Sequence, residues 1–452
     1  MASRSVALSL AIAALGAACG PVSDLAPAAD RSAGPADVSF MAPDAVVDAV
    51  DVPDEGATPE PAEAADPAAA AEVADASTDA VAEVPAPVGV AEPGEWASVE
   101  RYHVGNPGLV DEKFTDRTAH TDPGTVAAFG TDRPPPEEFL LHLAQGWDSG
   151  DGAVVLLVHG VGSCANQSFM APDATSHRSL VRTLTAAGMR VFAITFPHPF
   201  GDNLNQAIEL AEAIRIVAAR TGVPRISVVA HSKGGLPAEA YVRGLAAQWR
   251  EGWRGDVDRL VFLGVPLGGM DWSFRHPNAN WGAELYALPM PTSWDQAVEY
   301  GSVKDLTDVS IYGGAYDGLL QAQRKWVGSC PLSMAEQDWY TTYWGGQGFV
   351  SHSKGIDAAI AQGGHWLDVL DAMRPPKDVS VAAIAGGSPL VGGVPWETSG
   401  PSDGLVFTDS ALDVSAWENA GCDVLGTRVF DLANHWELLY LDDVTAYVAG
   451  LL

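Results

Sequence analysis

One serine in this chain stands where a serine can do covalent chemistry. Ser232 is at the centre of Val228-Val229-Ala230-His231-Ser232-Lys233-Gly234-Gly235. An apolar stretch, Ile226 to Ala230, runs into the turn, and a helix-compatible stretch, Leu236 to Leu245, follows it. A serine on a sharp strand-to-helix turn projects its hydroxyl beyond the end of a sheet, where a substrate carbonyl can reach it. Ala230 and Gly234, two residues to either side, are small enough for the turn to close against neighbouring backbone. A serine hydroxyl is a poor nucleophile until a base takes its proton and a third group fixes that base. The chemistry in prospect is acyl transfer through a covalent intermediate. A plain Ser-Gly turn is the competing reading, and strand, turn and helix in that order weigh against it.

With Ala-His-Ser-x-Gly in that setting, the chain resembles the bacterial lipases and esterases of the α/β-hydrolase superfamily. Separate stretches between about Ala153 and the C-terminus carry the resemblance. It implies a Ser-Asp-His triad, an oxyanion hole, carboxylic ester substrates and no metal or organic cofactor. In that superfamily the order along the chain is serine, acid, histidine. His435, in Ala433-Asn434-His435-Trp436-Glu437-Leu438-Leu439, is the only histidine after His365 and takes the place of the base. Asp403, in Pro401-Ser402-Asp403-Gly404-Leu405-Val406, looks like the acid loop of secreted lipases and lies 32 residues before His435. Asp317, in Tyr316-Asp317-Gly318-Leu319-Leu320, is a rival acid, because it too follows a short apolar stretch, Val309 to Tyr312. Chain order favours Asp403. Asp409 and Asp413 read as solvated, and Asp442 and Asp443 as caps of a last helix.

The resemblance also assigns two backbone N–H groups to a developing oxyanion. One belongs to Lys233, the residue after the nucleophile, whose ammonium is then expected to face solvent. The other belongs to Val161, in a His159-Gly160-Val161-Gly162 loop after the first strong strand. His159 and His231 read as structural, since both sit in turns whose backbone does the work. Some secreted lipases carry calcium near the histidine loop; Glu437 could be read that way, but the sequence establishes no site.

These groups need a scaffold. From Ala153 onward strand and helix patterns alternate, which argues for a mostly parallel sheet with helices on both faces. Ala153 to Val158, Val191 to Phe196, Ile226 to Ala230, Arg259 to Val265, Val379 to Ala385 and Leu425 to Leu432 read as strands. Ser179 to Ala187, Asn205 to Arg220 and Asp442 to Leu451 read as helices. The alternation breaks between about Met270 and Pro376, a stretch rich in tryptophan and tyrosine. An insertion there reads as a cap, with the core of an enlarged domain as the alternative.

The chain has 452 residues and a formal net charge of −33. Residues 1–18 read as a signal peptide: Arg4, an apolar run from Val6 to Leu15, then small residues. Leu15-Gly16-Ala17-Ala18-Cys19 resembles a bacterial lipobox, with the leucine four rather than three residues before the cysteine. The expectation is an exported lipoprotein held at the membrane through lipidated Cys19, with ordinary cleavage near Ala18 and secretion as the alternative. Residues 19–95 read as a disordered acidic tether. Between Gly20 and Val90 there are fifteen acidic residues, one basic residue, Arg31, and one aromatic, Phe40. Such a segment cannot bury enough apolar surface to offset chain entropy. Residues 96–452 remain for an α/β-hydrolase domain with a cap over about 270–376. The acidity argues against nucleic-acid partners. Cys164, Cys330 and Cys422 permit at most one disulfide, and no C-x-x-C or His/Cys metal spacing occurs.

The sequence thus predicts an exported serine hydrolase of carboxylic esters, a lipase or carboxylesterase. A polyester depolymerase, an acyltransferase and a non-catalytic surface protein on the same fold are the alternatives. Oligomeric state has no signature here.

Overall fold

A computed structural model describes residues 86–452, apart from 92–95, 107, 171–177, 250–251 and 333–336. The signal peptide, Cys19 and nearly all of the expected tether lie outside the described residues.

The central sheet is built from β1 (Gly89–Ala91), β2 (Ser98–His103), β3 (Glu138–Leu143), β4 (Val154–Val158), β5 (Arg190–Thr195), β6 (Ile226–His231) and β7 (Val257–Leu263). The insertion supplies β8 (Gln296–Glu299), β9 (Ser302–Asp305), β10 (Gly346–Gln347) and β11 (Ser351–Ser353). Then come β12 (Ser380–Gly386), the small hairpin β13 (Leu390–Val391) and β14 (Val394–Pro395), and β15 (Val424–Phe430). The order across the main sheet is β1-β2-β3-β5-β4-β6-β7-β12-β15. From β5 to β15 every pairing is parallel, and β1, β2 and β3 extend the sheet antiparallel.

The strands form because their residues suit burial on both faces. Val154, Leu156 and Val158 of β4 join the core on one face, with Val228, Ala230, Leu260 and Phe262. Val155 and Leu157 join the core on the other, with Val229, Val261, Leu263 and Ile384. That is the two-residue period of a pleated strand, and continuous apolar runs are what a covered parallel sheet requires. Helix Asn203–Thr221 packs its apolar stripe on the first face. Its start is fixed by Asp202, whose carboxylate accepts from the N–H groups of Leu204 and Asn205 at 2.7 and 3.2 Å. Gly222 ends it in the left-handed conformation (φ 68°). Helices Leu180–Ala186 and Asp442–Leu451 cover the second face.

Three expectations need correction. The sheet begins well before Ala153, with three strands the sequence reading did not find. One of them, β1, lies inside the span assigned to the tether and pairs Gly89 with Arg101, so ordered sheet begins before residue 96. Val309 to Tyr312, which the rival acid Asp317 would have needed as a strand, is none: Ser310 caps a short 3-10 turn, Ile311–Gly313, and Ile311 and Tyr312 are apolar because they fill the insertion's own core. The last helix is capped by Leu441 rather than by an aspartate, and Asp442 and Asp443 occupy its first turn, where they favour the positive end of the helix dipole.

The insertion between β7 and β12 carries its own antiparallel sheet, ordered β10-β11-β8-β9. Trp294 is fully buried against it. A second apolar cluster, with Phe274, Ile311, Tyr316 and Tyr343, packs on Phe200 and Val161, which belong to loops at the end of the main sheet. Cys164, Cys330 and Cys422 are free thiols. No helix among the described residues is long and apolar enough to cross a membrane.

Candidate active site

Strand β6 ends at His231, and Ser232 follows with φ 53°. That conformation costs a non-glycine residue about 1–2 kcal/mol, so the surroundings must enforce it. They do so through close approach. A Cβ at Gly234 would lie 2.2 Å from the His159 carbonyl oxygen, and one at Gly160 would lie 2.8 Å from Ser232 Cβ. The glycines let the His159-Gly160 loop press against the turn, and helix Gly235–Val242 carries the chain away.

The structure brings Ser232, His435 and Asp403 together. His435 Nε2 lies 2.8 Å from Ser232 Oγ, and its Nδ1 lies 2.7 Å from Asp403 Oδ2. The side chains of His435 and Asp403 are buried, and Ser232 keeps 7% of its surface exposed. An aspartate accepts only, so the His435 proton sits on Nδ1 and Nε2 is free to accept from the serine hydroxyl. Asp403 Oδ1 accepts from the backbone N–H of Leu405 and Val406 at 3.0 and 2.8 Å, which fixes the carboxylate plane. Backbone joins the two loops as well, since the His435 N–H donates to the Asp403 carbonyl at 2.9 Å. Asp403 follows β12 and His435 follows β15, as the chain order requires. Asp317 is not part of this group. It opens the short helix Asp317–Leu320 inside the insertion, and burial, helped by the charge of Asp202, raises its pKa.

His159 and His231 take structural places. His159 Nδ1 donates to the Gly160 carbonyl at 2.8 Å and its Nε2 accepts from the Phe196 N–H at 3.1 Å. His231 Nε2 donates to the His435 carbonyl at 2.9 Å. Burial lowers both pKa values to about 3, so both rings are neutral at ordinary pH. The Val161 N–H has no acceptor among the described residues, while Gly162 N–H is held by the Pro199 carbonyl at 2.9 Å. Glu437 accepts from the Asn434 N–H at 2.9 Å and so closes the histidine loop on itself. Asp409 and Asp413 are exposed.

Lys233 departs from expectation: its ammonium does not face solvent. The residue is 2% exposed, and Nζ donates to Gln206 Oε1 at 2.6 Å. Helix Asp317–Leu320 lies across it, and only glycine fits at 318, where a Cβ would stand 2.0 Å from Lys233 Cε and 2.1 Å from the Gly201 carbonyl. Burial pulls the Lys233 pKa down to about 8 against the opposing charges of Glu112, Asp202 and Glu209. Burial also lifts Glu112 to about 8 and Glu209 well above the usual range. Both Glu209 carboxylate oxygens are buried without a hydrogen-bond partner among the described residues. The sequence reading missed Glu112 and Glu209. Neither had a signal: the helical neighbours of Glu209 three and four residues away, Asn205, Gln206, Glu212 and Ala213, are mostly polar, so the pattern places it opposite the apolar stripe.

Two cavities, of about 460 and 350 Å³, lie away from the three residues; the larger is lined by Asp202, Asp317, Gln321 and Trp366 among others. No group of three or more His, Cys, Asp or Glu side chains among the described residues is disposed to hold a metal.

A family described only as a domain of unknown function (DUF7379) matches residues 125–280. No curated protein matches the chain. Among solved structures, similarity is found to the mature form of the lipase BlEst2 of Bacillus licheniformis, with 15% identity, a TM-score of 0.39 and coverage of 69% of this chain and 95% of that one. The carboxylesterase CesB of Bacillus subtilis gives 11% identity, a TM-score of 0.32 and coverage of 78% and 91%. The product of gene lin2722 of Listeria innocua gives 15% identity, a TM-score of 0.33 and coverage of 67% and 94%. The parallel strand order and the covering helices are those of the α/β-hydrolase fold.

Proposed function

We propose that this protein is a serine hydrolase of carboxylic esters, a lipase or carboxylesterase, with Ser232 as nucleophile, His435 as base and Asp403 as the group that orients it. The observation that carries the reading is the unbroken chain from Ser232 Oγ through the His435 ring to Asp403 Oδ2, at 2.8 and 2.7 Å. Ser232 Oγ attacks the ester carbonyl carbon as its proton passes to His435 Nε2. The backbone N–H groups of Val161 and Lys233 stabilise the oxyanion. The tetrahedral intermediate collapses, and the alkoxide leaves with the proton from His435. Water then attacks the acyl-enzyme by the same route and restores the serine. Asp403 holds Nδ1–H and stabilises the imidazolium.

The insertion acts as a cap: its apolar cluster rests on Val161 and Phe200 beside the reacting centre. The protein is exported and anchored through lipidated Cys19. A Cys19→Ser variant expressed in a bacterium that processes lipoproteins should leave the membrane fraction; wild type recovered with an unmodified N-terminus there would refute the anchor. For the chemistry, hydrolysis of p-nitrophenyl esters of graded acyl length, with Ser232→Ala as control, is the test. Turnover that survives in the alanine variant would refute the reading.

A further inference from the structure

Three tryptophans from three distant parts of the chain form one row that starts at the proposed base. The His435 and Trp436 ring centroids are 5.6 Å apart at 83°. Trp436 meets Trp396 at 5.4 Å and 83°, and Trp396 stacks on Trp272 at 5.5 Å and 29°. Trp436 is in the histidine loop, Trp396 follows β14 in the acid loop, and Trp272 opens the insertion. The row is anchored from beneath. Glu397, 1% exposed, accepts from His276 Nε2 at 3.0 Å and from the Ser399 N–H at 2.7 Å, while its carbonyl accepts from Ser402 Oγ at 2.7 Å. Asp403 is the next residue, so the row and the proposed acid share one braced loop. Trp272 is buried, Trp396 half-buried, and Trp436 39% exposed.

We infer that Trp436 and Trp396 form the leaving-group subsite of the enzyme and that it takes an uncharged, planar aromatic ring on the alcohol side of the ester. The inference rests on the ester-hydrolase reading. His435 must hand its proton from Nε2 to the departing alkoxide, so the alcohol portion leaves past that edge of the ring. The exposed apolar surface beside this ring is Trp436, backed by Trp396. Two rings at 83° offer one π-face and one edge, so a flat ring can stack on one and meet the other edge-to-face. A saturated ring of the same carbon count gains contact area there without either preferred geometry. Glu437 and Glu397, next in the chain to the two indoles, disfavour an anionic aromatic ring there.

The test compares benzyl acetate with cyclohexylmethyl acetate, which share one acetyl-enzyme and carry rings of the same carbon count, one flat and aromatic, the other saturated. The kcat/KM ratio, divided by the ratio of the hydroxide-catalysed rates, should favour benzyl by roughly 3- to 10-fold in the wild type. It should fall towards 1 in Trp436→Leu and in Trp396→Leu, whatever the change in absolute rate. Trp396→Phe, which keeps a ring in the braced loop, should retain part of the preference. Methyl benzoate against methyl cyclohexanecarboxylate, which moves the ring to the acyl side, should give a ratio that these variants leave alone. Equal treatment of the two acetates by the wild type, or a ratio that survives both leucine variants, overturns the subsite. A ratio that responds only on the acyl side overturns its assignment to the alcohol. Failure to turn over any of the four esters counts instead against the ester-hydrolase reading.

Discussion

His231 Nε2 donates to the carbonyl of His435 at 2.9 Å, so the residue before the proposed nucleophile holds the loop that carries the proposed base. The bond joins the end of β6 to the loop after β15, two elements 204 residues apart in the chain. It helps hold the His435 loop beside Ser232 Oγ, together with the bond from the His435 N–H to the Asp403 carbonyl.

His231→Ala removes that brace while leaving all three proposed catalytic groups. We predict a fall in kcat of roughly 10- to 100-fold with KM little changed, as a small misplacement of a reacting group produces. Steady-state kinetics on a short-chain ester checks it. A rate within twofold of wild type would show that the loop is held without His231.

Asp403→Asn should keep the fold and lower kcat by up to about 10⁴-fold, because the amide can leave His435 with its proton on the wrong nitrogen. Asp317→Asn should stay close to wild type, since Asp317 makes no contact with His435. Both variants are compared at matched thermal stability. The reverse pattern would mean that Asp317 serves His435 in the working enzyme.

How far the site could be read from residues alone follows from what each signal depends on. The turn at Ser232 is local: small residues at 230 and 234 and apolar strand residues before it are visible in eight positions. Asp403 and His435 are not local to each other, yet chain order alone separated Asp403 from Asp317. Lys233 was misread because a lysine defaults to solvent unless its partners are known. Its partners are Gln206, Glu112 and Glu209, which only tertiary packing brings near. The run Val309 to Tyr312 shows the limit of periodicity, since a short buried run looks alike whether it lies in a sheet or in a packed turn. Ser98–His103 and Glu138–Leu143 went unread because they precede the alternating strand–helix pattern and pair antiparallel, outside the parallel arrangement being sought.

Gly318→Ala should destabilise the protein by about 1–3 kcal/mol, as overpacking in a tight interior does. Its Cβ would meet both Lys233 Cε and the Gly201 carbonyl, and backbone cannot move aside as a flexible side chain can. Thermal melting of the variant measures this. An unchanged Tm would mean that the insertion does not seat on Lys233 as described.

Burial lifts the Glu112 pKa from its ordinary range to about 8 in the folded protein. The folded state therefore holds a proton that the unfolded chain has released above about pH 4.5, so this group's contribution to stability is lost as pH rises towards 8. Glu112→Gln keeps the oxygen that accepts from the Asp202 N–H but cannot ionise. We predict that the wild-type Tm drops relative to that of Glu112→Gln between pH 5 and pH 8, by a few degrees. A constant difference across that range would place a fixed charge state on Glu112.

The central claim is that Ser232 is an activated nucleophile. The direct measurement is labelling of intact protein by a fluorophosphonate, followed by peptide mapping. The account predicts one covalent adduct on Ser232 Oγ, lost in Ser232→Ala together with nearly all ester hydrolysis, and strongly slowed in Asp403→Asn. An adduct on another residue, with hydrolysis retained in Ser232→Ala, would contradict it.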